Sequence, residues 1–329
     1  MQSGTALHPS TRTVIVSTNM DFDLSYLFAN LPVCTNPRAP LAHAYAGLHH
    51  GGITHVEYRQ QVRGVPWKQN PRRGKRAQHF FLNSMTLVML LDASRYAQPR
   101  ATSAPSKWKR INAKISHNGR FQLTGCQTDG QYRDFMENML SILTDPFTAA
   151  TSPLPLIRQI RPCEHKHEHE HEHERKHEHE GCIVATFAVV MCNTDDQLGF
   201  QINREKLDTF INARTEFVSI YETSVNTSVN IKLPCENPND KYMLRLVWPP
   251  SSGIGAAAHF EWQRKEYPLY LADWCAGAPI KWKRAYHTFL VFTSGAVIQS
   301  SKGQDAPEAF RLLVSTLRRN RSEIEEVTV

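Results

Sequence analysis

Lys107-Trp108-Lys109-Arg110 is followed, after eight intervening residues, by Gly119-Arg120-Phe121-Gln122-Leu123-Thr124-Gly125, and the same plan occurs once more further along the chain. The second copy is Lys281-Trp282-Lys283-Arg284, then ten residues, then Gly295-Ala296-Val297-Ile298-Gln299-Ser300-Ser301. Each copy predicts two strands joined by a tight Asn-Gly or Ser-Gly turn. A hairpin that occurs twice in one chain indicates an internal duplication.

A helix is predicted after each hairpin, because apolar residues recur there at helical spacing. These residues are Tyr132, Phe135, Met136, Met139, Leu140 and Leu143 after the first hairpin, and Phe310, Leu313, Val314 and Leu317 after the second. Helix start signals precede both runs: Thr128 with Gln131 three residues on, and Asp305 with Glu308 three residues on. The order hairpin then helix is therefore also repeated.

Each half also begins with a predicted strand and a short helix. The first half has a strand at 13–18 and a helix capped by Asp21 or Asp23, and the second has a strand at 181–191 and a helix at 203–213. Further strands are predicted at 79–92, 228–233 and 242–248. Two such halves predict an α+β protein, in which two tandem pseudo-symmetric repeats form one curved antiparallel sheet, a saddle, with helices on its convex face.

Three predicted segments follow from this plan. Residues 1–145 form the first repeat, with a basic loop insertion at 36–78. Residues 146–180 form a proline-rich linker and a low-complexity tract. Residues 181–329 form the second repeat, with a long loop at 249–280.

The charge of the chain is uneven. The net charge is +7, but residues 163–182 hold seven Glu against three Lys or Arg, a net charge of −4, which leaves +11 on the rest. A basic protein of this kind tends to meet phosphate backbones or anionic surfaces, and solubility is the open alternative. Residues 63–76 concentrate six Lys or Arg around Trp67, which suits either a phosphate-contacting arm or a solvated insertion.

Residues 165–180 alternate His and Glu almost strictly. Seven His, flanked by Cys163 and Cys182, could bind Zn, Ni or Cu weakly. No spacing selects a closed tetrahedral site, so a low-complexity insertion is the alternative interpretation. We therefore predict no defined metal site and no cofactor.

The cysteines and the apolar runs point to an intracellular, reducing compartment. The seven cysteines are odd in number and include no CxxC pair. We expect neither a signal peptide nor a membrane span. The chain has no GxSxG motif and no P-loop, and the His/Glu tract is too repetitive for an active site, which needs fixed side chains. We therefore expect no enzymatic activity.

A family resemblance follows from the hairpins. Residues 115–125 (ISHNGRFQLTG) and 289–298 (FLVFTSGAVI) resemble the "IFxSGKxxxTG" hairpin of the TATA-box-binding protein family, once per repeat. Residues 16–18 with 23–24 are similar to the family's opening strand and helix. Residues 81–86 (FLNSMT) and 229–232 (VNIK) look like the strand before each hairpin in the divergent TATA-binding-like proteins of large DNA viruses.

This resemblance implies a non-enzymatic protein that acts in viral transcription initiation. The concave sheet of the saddle would lie in the minor groove of AT-rich double-stranded DNA, where aromatic wedges open base steps. Transcription initiation factors or RNA polymerase would be its protein partners. The implied location is the host nucleus or a viral factory, with packaging in the virion as a further alternative.

The resemblance also assigns DNA-binding positions. The wedge positions fall on Phe81, Ser116, Asn226 and Phe292, and the groove-floor positions on Val16, Gln122, Thr124, Ile298 and Ser300. The phosphate-contacting residues would be Arg120 and the two basic clusters, namely Lys107, Lys109, Arg110, Lys281, Lys283 and Arg284. A solvated strand entry is the alternative interpretation for these clusters.

The sequence also supports a second function class. Ser116, Gln122 and Asn226 are polar where the family has a more apolar face, and Ala296 stands where it has Lys. A saddle that binds protein, as an assembly or virion component, is therefore the alternative. Strand alternation requires that either Val291 or Phe292 faces outward, and a core position is the alternative interpretation for Phe292.

Overall fold

The computed structural model describes residues 10–34, 52–65, 83–96, 108–144, 156–161, 183–224, 227–235, 242–248, 261–266, 286–301 and 306–326, with only the strand course given for 242–248 and 261–266. The chain forms two compact units. The first unit combines Thr13–Ala188 with Leu244–Arg264, and the second combines Met1–Arg12, Val189–Met243 and Lys265–Val329. The domain boundaries from the sequence stay a prediction.

The first unit is built on a sheet with two packed helices. Its strands are β1 (Thr11–Thr18), β3 (Ile53–Tyr58), β4 (Gln61–Gly64), β5 (Ser84–Asp92), β6 (Trp108–Ser116) and β7 (Arg120–Cys126), in the order β1-β7-β6-β5-β3-β4. The helices are α1 (Leu24–Asn30) and α2 (Asp129–Thr144). A separate pair joins β2 (Met20–Asp21) to β8 (Gln159–Ile160), and Ala93–Tyr96 forms a short 3-10 helix.

The second unit has the same kind of architecture. Its sheet order is β10-β11-β14-β15-β9, with every neighbouring pair antiparallel. The strands are β9 (Ile183–Gln197), β10 (Val218–Ile220), β11 (Ser228–Pro234), β14 (Tyr286–Phe292) and β15 (Ala296–Ser301). The helices are α3 (Arg204–Arg214), α4 (Ala306–Arg319) and α5 (Arg321–Ile324). Two further strands, β12 (Tyr242–Trp248) and β13 (Glu261–Glu266), pair with each other and fall mostly in the first unit.

Alternating side chains give each sheet a buried face. In β6, Ile111, Ala113 and Ile115 are fully buried, and α2 packs against the neighbouring β5 and β7. In the second unit, Phe289 of β14 and Phe310 of α4 belong to one core cluster. Full burial of such side chains contributes about 1.5–3 kcal/mol each. We call the opposite face of each sheet its open face.

The hairpin tip of the first unit is fixed to the segment before its first helix. Gly119 closes the turn with a φ of 74°, and its carbonyl accepts a hydrogen bond from the Thr18 amide (3.1 Å). The His117 carbonyl accepts another from the Phe22 amide (2.7 Å). The next residue, Asp23, caps α1 by accepting from two backbone amides, and it is one of the two predicted caps, Asp21 and Asp23.

The second unit repeats these contacts. Gly295, with a φ of 80°, accepts a hydrogen bond from the Leu198 amide (2.9 Å), and the Thr293 carbonyl accepts from the Ile202 amide (2.8 Å). Asn203 then caps α3, which confirms the predicted cap. Each hairpin tip is therefore held by the same pair of backbone bonds, next to a capped helix.

Several segments differ from the sequence prediction. The predicted loop insertion at 36–78 contains the β3–β4 hairpin, whose turn residues Arg59 and Gln60 adopt φ of 45° and 71°. No glycine marks this turn, so the sequence signal was missing. The predicted loop at 249–280 contains β13, β9 runs to Gln197 instead of ending at 191, and the short β10 was not predicted.

The start of α2 also differs in detail. The side-chain oxygen of Gln131 accepts a hydrogen bond from the Gln127 amide (2.6 Å). The hydroxyl of Thr128 has no hydrogen-bond partner within the described residues, so the reciprocal bond of a capping box is missing.

The edge strand β10 is held by a side chain of α3. The amide of Asn212 donates to the Ser219 carbonyl (3.2 Å) and accepts from the Ser219 amide N–H (2.9 Å), and the Ser219 hydroxyl donates to Asp208 (2.6 Å). Asn212 thus satisfies the groups that a neighbouring strand would bind. This matters because Val218 and Ile220 on either side are 52% and 51% exposed.

We expect Asn212→Ala to destabilise the second unit by about 1–3 kcal/mol, because the partly buried Ser219 amide and carbonyl lose their partners. The freed strand edge should also promote concentration-dependent self-association, measured by sedimentation beside urea unfolding. Thr209→Ala, an exposed position on the same helix, is the control. An Asn212→Ala protein as stable and monomeric as the control would contradict this role.

Within the described ranges, no helix is long and apolar enough to cross a membrane. The four cysteines that the structure describes, Cys34, Cys126, Cys192 and Cys235, are thiols and not part of disulfide bonds.

Candidate nucleic-acid interface

The open face of the first unit is polar at the end of β5 near Ser84, whereas Val88 and Leu90 are buried farther along the same face. Strand pairing places Thr86, Lys114 and Gln122 side by side across β5, β6 and β7. Ser116 lies opposite Ser84 at the end of the same strands. This end of the face therefore presents hydroxyl, amide and ammonium groups, together with the carboxylate of Glu57, which lies opposite Thr86. All of these groups form hydrogen bonds.

Three cations lie on this face. Arg110, Lys114 and Arg120 share the side of the sheet that carries Gln122 and Thr124, and both arginines are exposed. The two arginines lie at opposite ends of the hairpin, because Arg110 lies near the start of β6 and Arg120 begins β7. The hydrogen-bonding groups of the strands thus lie among exposed positive charges.

Lys109 does not belong to this set, which corrects its predicted place beside Arg110. Alternation turns it to the buried side of β6, where its ammonium donates to the side-chain oxygen of Gln127 (3.0 Å). Burial lowers the pKa of Lys109, because the charged ammonium is partly removed from water. A side chain held in this way is not available on the open face.

Val16 is also misplaced by the sequence prediction. It is fully buried, together with Val14, on one side of β1. The residues of β1 that face the other way are Ile15 and Ser17. The predicted groove-floor position of Val16 therefore does not lie on the open face, because successive side chains of a strand point to opposite faces.

The open face of the second unit is more apolar. Phe292 is half-buried on this face, whereas Val291 is fully buried on the other. Of the two residues that could face outward, it is therefore Phe292 that does so. Ile298 pairs with Leu290, and Ser300 pairs with Thr288. Phe292, Ile298 and Ser300 therefore share one face, as expected.

The sequence prediction missed two polar residues on this face. Asn193 and Asp195 of β9 lie opposite Ser300 and Ile298. The Ser300 hydroxyl donates to the side-chain oxygen of Asn193 (3.0 Å), and Asp195 is exposed. They were missed because the predicted strand ended at 191. The available signal was the alternation of outward and inward side chains, which continues through 197.

The second open face also carries exposed apolar side chains. Met191 and Tyr286, at 37% and 39% exposure, join Val218 and Ile220 there. One cation, Lys232, lies on this face among the described residues and sits 6.0 Å from the centre of the Tyr286 ring. The two open faces therefore differ in chemistry, the first being more basic and the second more apolar.

The remaining predicted site residues lie outside the described residues. They are Phe81, Lys107, Asn226, Lys281, Lys283 and Arg284, and the His/Glu tract lies outside as well. In the described part of the chain, no group of three or more His, Cys, Asp or Glu residues could hold a metal ion.

No protein-family model and no curated protein sequence matches this chain. Among solved structures, "Methanococcus jannaschii TBP" is similar, with a TM-score of 0.40 and 12% sequence identity over 96% of this chain and 99% of that one. A likeness of this size does not assign a function.

Proposed function

We propose that the protein is a non-enzymatic, TATA-binding-like protein that binds AT-rich double-stranded DNA through the minor groove and acts in viral transcription initiation. The observation that carries the proposal is the pair of open sheet faces: hydrogen-bonding side chains among exposed arginines in the first unit, and an outward Phe292 in the second. Transcription initiation factors or RNA polymerase would be its protein partners, in an intracellular compartment.

The two faces suit the chemistry of a minor groove. Exposed arginines such as Arg110 and Arg120 can neutralise phosphates, which dominate affinity for DNA. The side-chain amide of Gln122, which is exposed, can donate to the acceptors that A·T pairs present in the groove. Apolar side chains such as Ile298 can displace groove water, and an aromatic ring can repay the cost of opening a base step.

The repeated backbone contacts support a duplicated architecture. Gly119 and Gly295 accept equivalent hydrogen bonds at equivalent places. We propose that the two units are copies of one ancestral repeat that together form a saddle, as the hairpin sequences imply. The helices would lie on its convex side, which leaves the open faces for DNA.

The salt dependence of binding tests the proposal. We expect the affinity for a fluorescent AT-rich duplex to fall steeply with salt, by a logarithmic slope of about −0.9 for each neutralised phosphate. Replacing Arg110 and Arg120 by Gln should make the slope shallower by roughly one per cation. A GC-rich duplex measures sequence preference in parallel.

A matched double variant controls for net charge. Arg311 and Arg319 are exposed on α4, a helix whose opposite side packs into the core of the second unit. Replacing both by Gln removes the same charge from a different surface, and we expect the slope to change little. Equal slopes for the two double variants would mean that the first open face does not contact phosphates.

The second open face favours one alternative function, the binding of a protein in virion assembly. Its exposed Val218 and Ile220 and the carboxylate of Asp195 suit a protein surface better than a phosphate backbone. DNA binding that is weak, insensitive to sequence and unaffected by substitutions on this face would support that alternative.

A further inference from the structure

Asp195 holds an unusual place for a surface that binds DNA. It lies on the open face of β9, directly across from Ile298 of β15, which itself pairs with Leu290 of β14. The side chain is exposed and makes no hydrogen bond or ion pair within the described residues. The carboxylate of Asp195 thus lies next to the apolar Ile298 and Leu290, and its oxygens accept no hydrogen bond from the described residues.

The neighbouring acid makes the contrast clear. Asp196 turns to the other side of β9 and forms an ion pair with Arg318 of α4 (3.0 Å). That bond joins the end of α4 to the sheet, which is a structural task. Asp195 forms no such ion pair within the described residues, so its charge is available to a ligand on the open face.

We propose, on the basis of the proposed function, that Asp195 selects a G·C pair within the AT-rich site by accepting a hydrogen bond from the 2-amino group of guanine. In the minor groove, A·T and T·A pairs present only acceptors, and the guanine 2-amino group is the one donor. A carboxylate can only accept, so it repels the acceptors of an A·T pair and binds the amino group of guanine.

The surroundings of Asp195 strengthen this selection. Ile298 and Leu290 would exclude water from the adjacent groove floor once DNA is bound. A charge-assisted hydrogen bond is stronger in such a poorly hydrated place, and an unpaired carboxylate costs more there. The favoured DNA is therefore an A·T-rich segment interrupted by a single G·C pair opposite Asp195.

Modified bases measure the contribution of the guanine 2-amino group alone. We would move one G·C pair through an A·T-rich duplex, find the position that binds best, and replace it there by inosine·C, A·T or 2,6-diaminopurine·T. Inosine lacks only the 2-amino group, and diaminopurine adds it to adenine. We expect G·C and diaminopurine·T to bind about tenfold more tightly than the other two, as a single hydrogen bond to a charged group gives.

Two variants complete the test. Asp195→Ala should bind all four duplexes equally. Glu308→Ala, which removes one exposed acid from α4, should keep the tenfold preference, because Glu308 lies on the helix and not on the open face. Circular dichroism would verify that both variants are folded.

The outcomes separate this inference from the proposed function. Salt-dependent binding to all four duplexes with equal affinity would overturn the role of Asp195 and leave DNA binding intact. A uniform gain in affinity for Asp195→Ala would mean that the carboxylate only repels phosphates, which also overturns it. If no duplex binds at any salt concentration, the proposed function itself fails.

Discussion

Gly119→Ala should destabilise the first unit by about 3 kcal/mol or more, because the new methyl group would violate two constraints at once. The φ of 74° is one that residues with a Cβ rarely adopt. The added Cβ would also overlap the carbonyl oxygen of Met20 and the hydroxyl of Thr18. Because Met20 contributes a backbone atom, the chain itself would have to move.

Gly199 provides the matched control for this substitution. Its φ is 87°, but an added Cβ would meet nothing within 4 Å. Gly199→Ala therefore tests backbone strain alone, with an expected loss of about 1–2 kcal/mol. Urea unfolding would compare the two variants, and hydrogen exchange of the Thr18 amide would report on the local contact. Equal losses would contradict the steric argument.

The same substitution in the second unit tests the duplication. An added Cβ at Gly295 would overlap the carbonyl oxygen of Phe200, a backbone atom at the equivalent place. Gly295→Ala should therefore cost as much as Gly119→Ala, with exchange of the Leu198 amide as its local readout. A small effect at Gly295 would show that the two hairpin tips are not equivalent.

Local signals explain which parts of the fold were predictable. The Asn-Gly and Ser-Gly turns located both hairpins, and short polar side chains located two helix starts, Asp23 and Asn203. The β3–β4 hairpin escaped because Arg59 and Gln60 adopt positive φ without the usual turn residues. Such a turn is stabilised by the pairing of its strands, which no short window of sequence reveals.

The site was predictable only in part. Successive side chains of a strand point to opposite faces, so an error of one position places a residue on the wrong face. Phe292 was correctly treated as one of two alternating residues, and the buried Val291 decided the outcome. Val16, predicted as a groove-floor position, and Lys109, predicted as part of a basic cluster, lie on the buried sides of their strands. Neither a motif match nor a charge cluster determines which face of a pleated strand a side chain takes. Asp195 lay beyond the predicted strand end, so no face could be assigned to it.

Phe292→Ala should reduce the affinity for AT-rich DNA by about 10- to 100-fold, as expected when an aromatic ring that stacks on a base contributes roughly 1–3 kcal/mol. The DNA bend, measured by energy transfer between dyes at the duplex ends, should decrease with it, because an inserted ring is what opens the base step. Phe292→Leu should retain part of the bend, since leucine can also act as a wedge.

Tyr286→Ala distinguishes the insertion of an aromatic ring into a base step from a general loss of apolar surface at the DNA interface. Tyr286 lies at the other end of β14, on the same open face, and is 39% exposed. We expect its replacement to change affinity by less than the Phe292 substitution and to leave the bend intact. Because Phe289 and Val291 carry the core contacts of β14, both variants should remain folded. If both variants instead bind and bend DNA like the original protein, Phe292 is not a wedge, and its face is better suited to a protein partner.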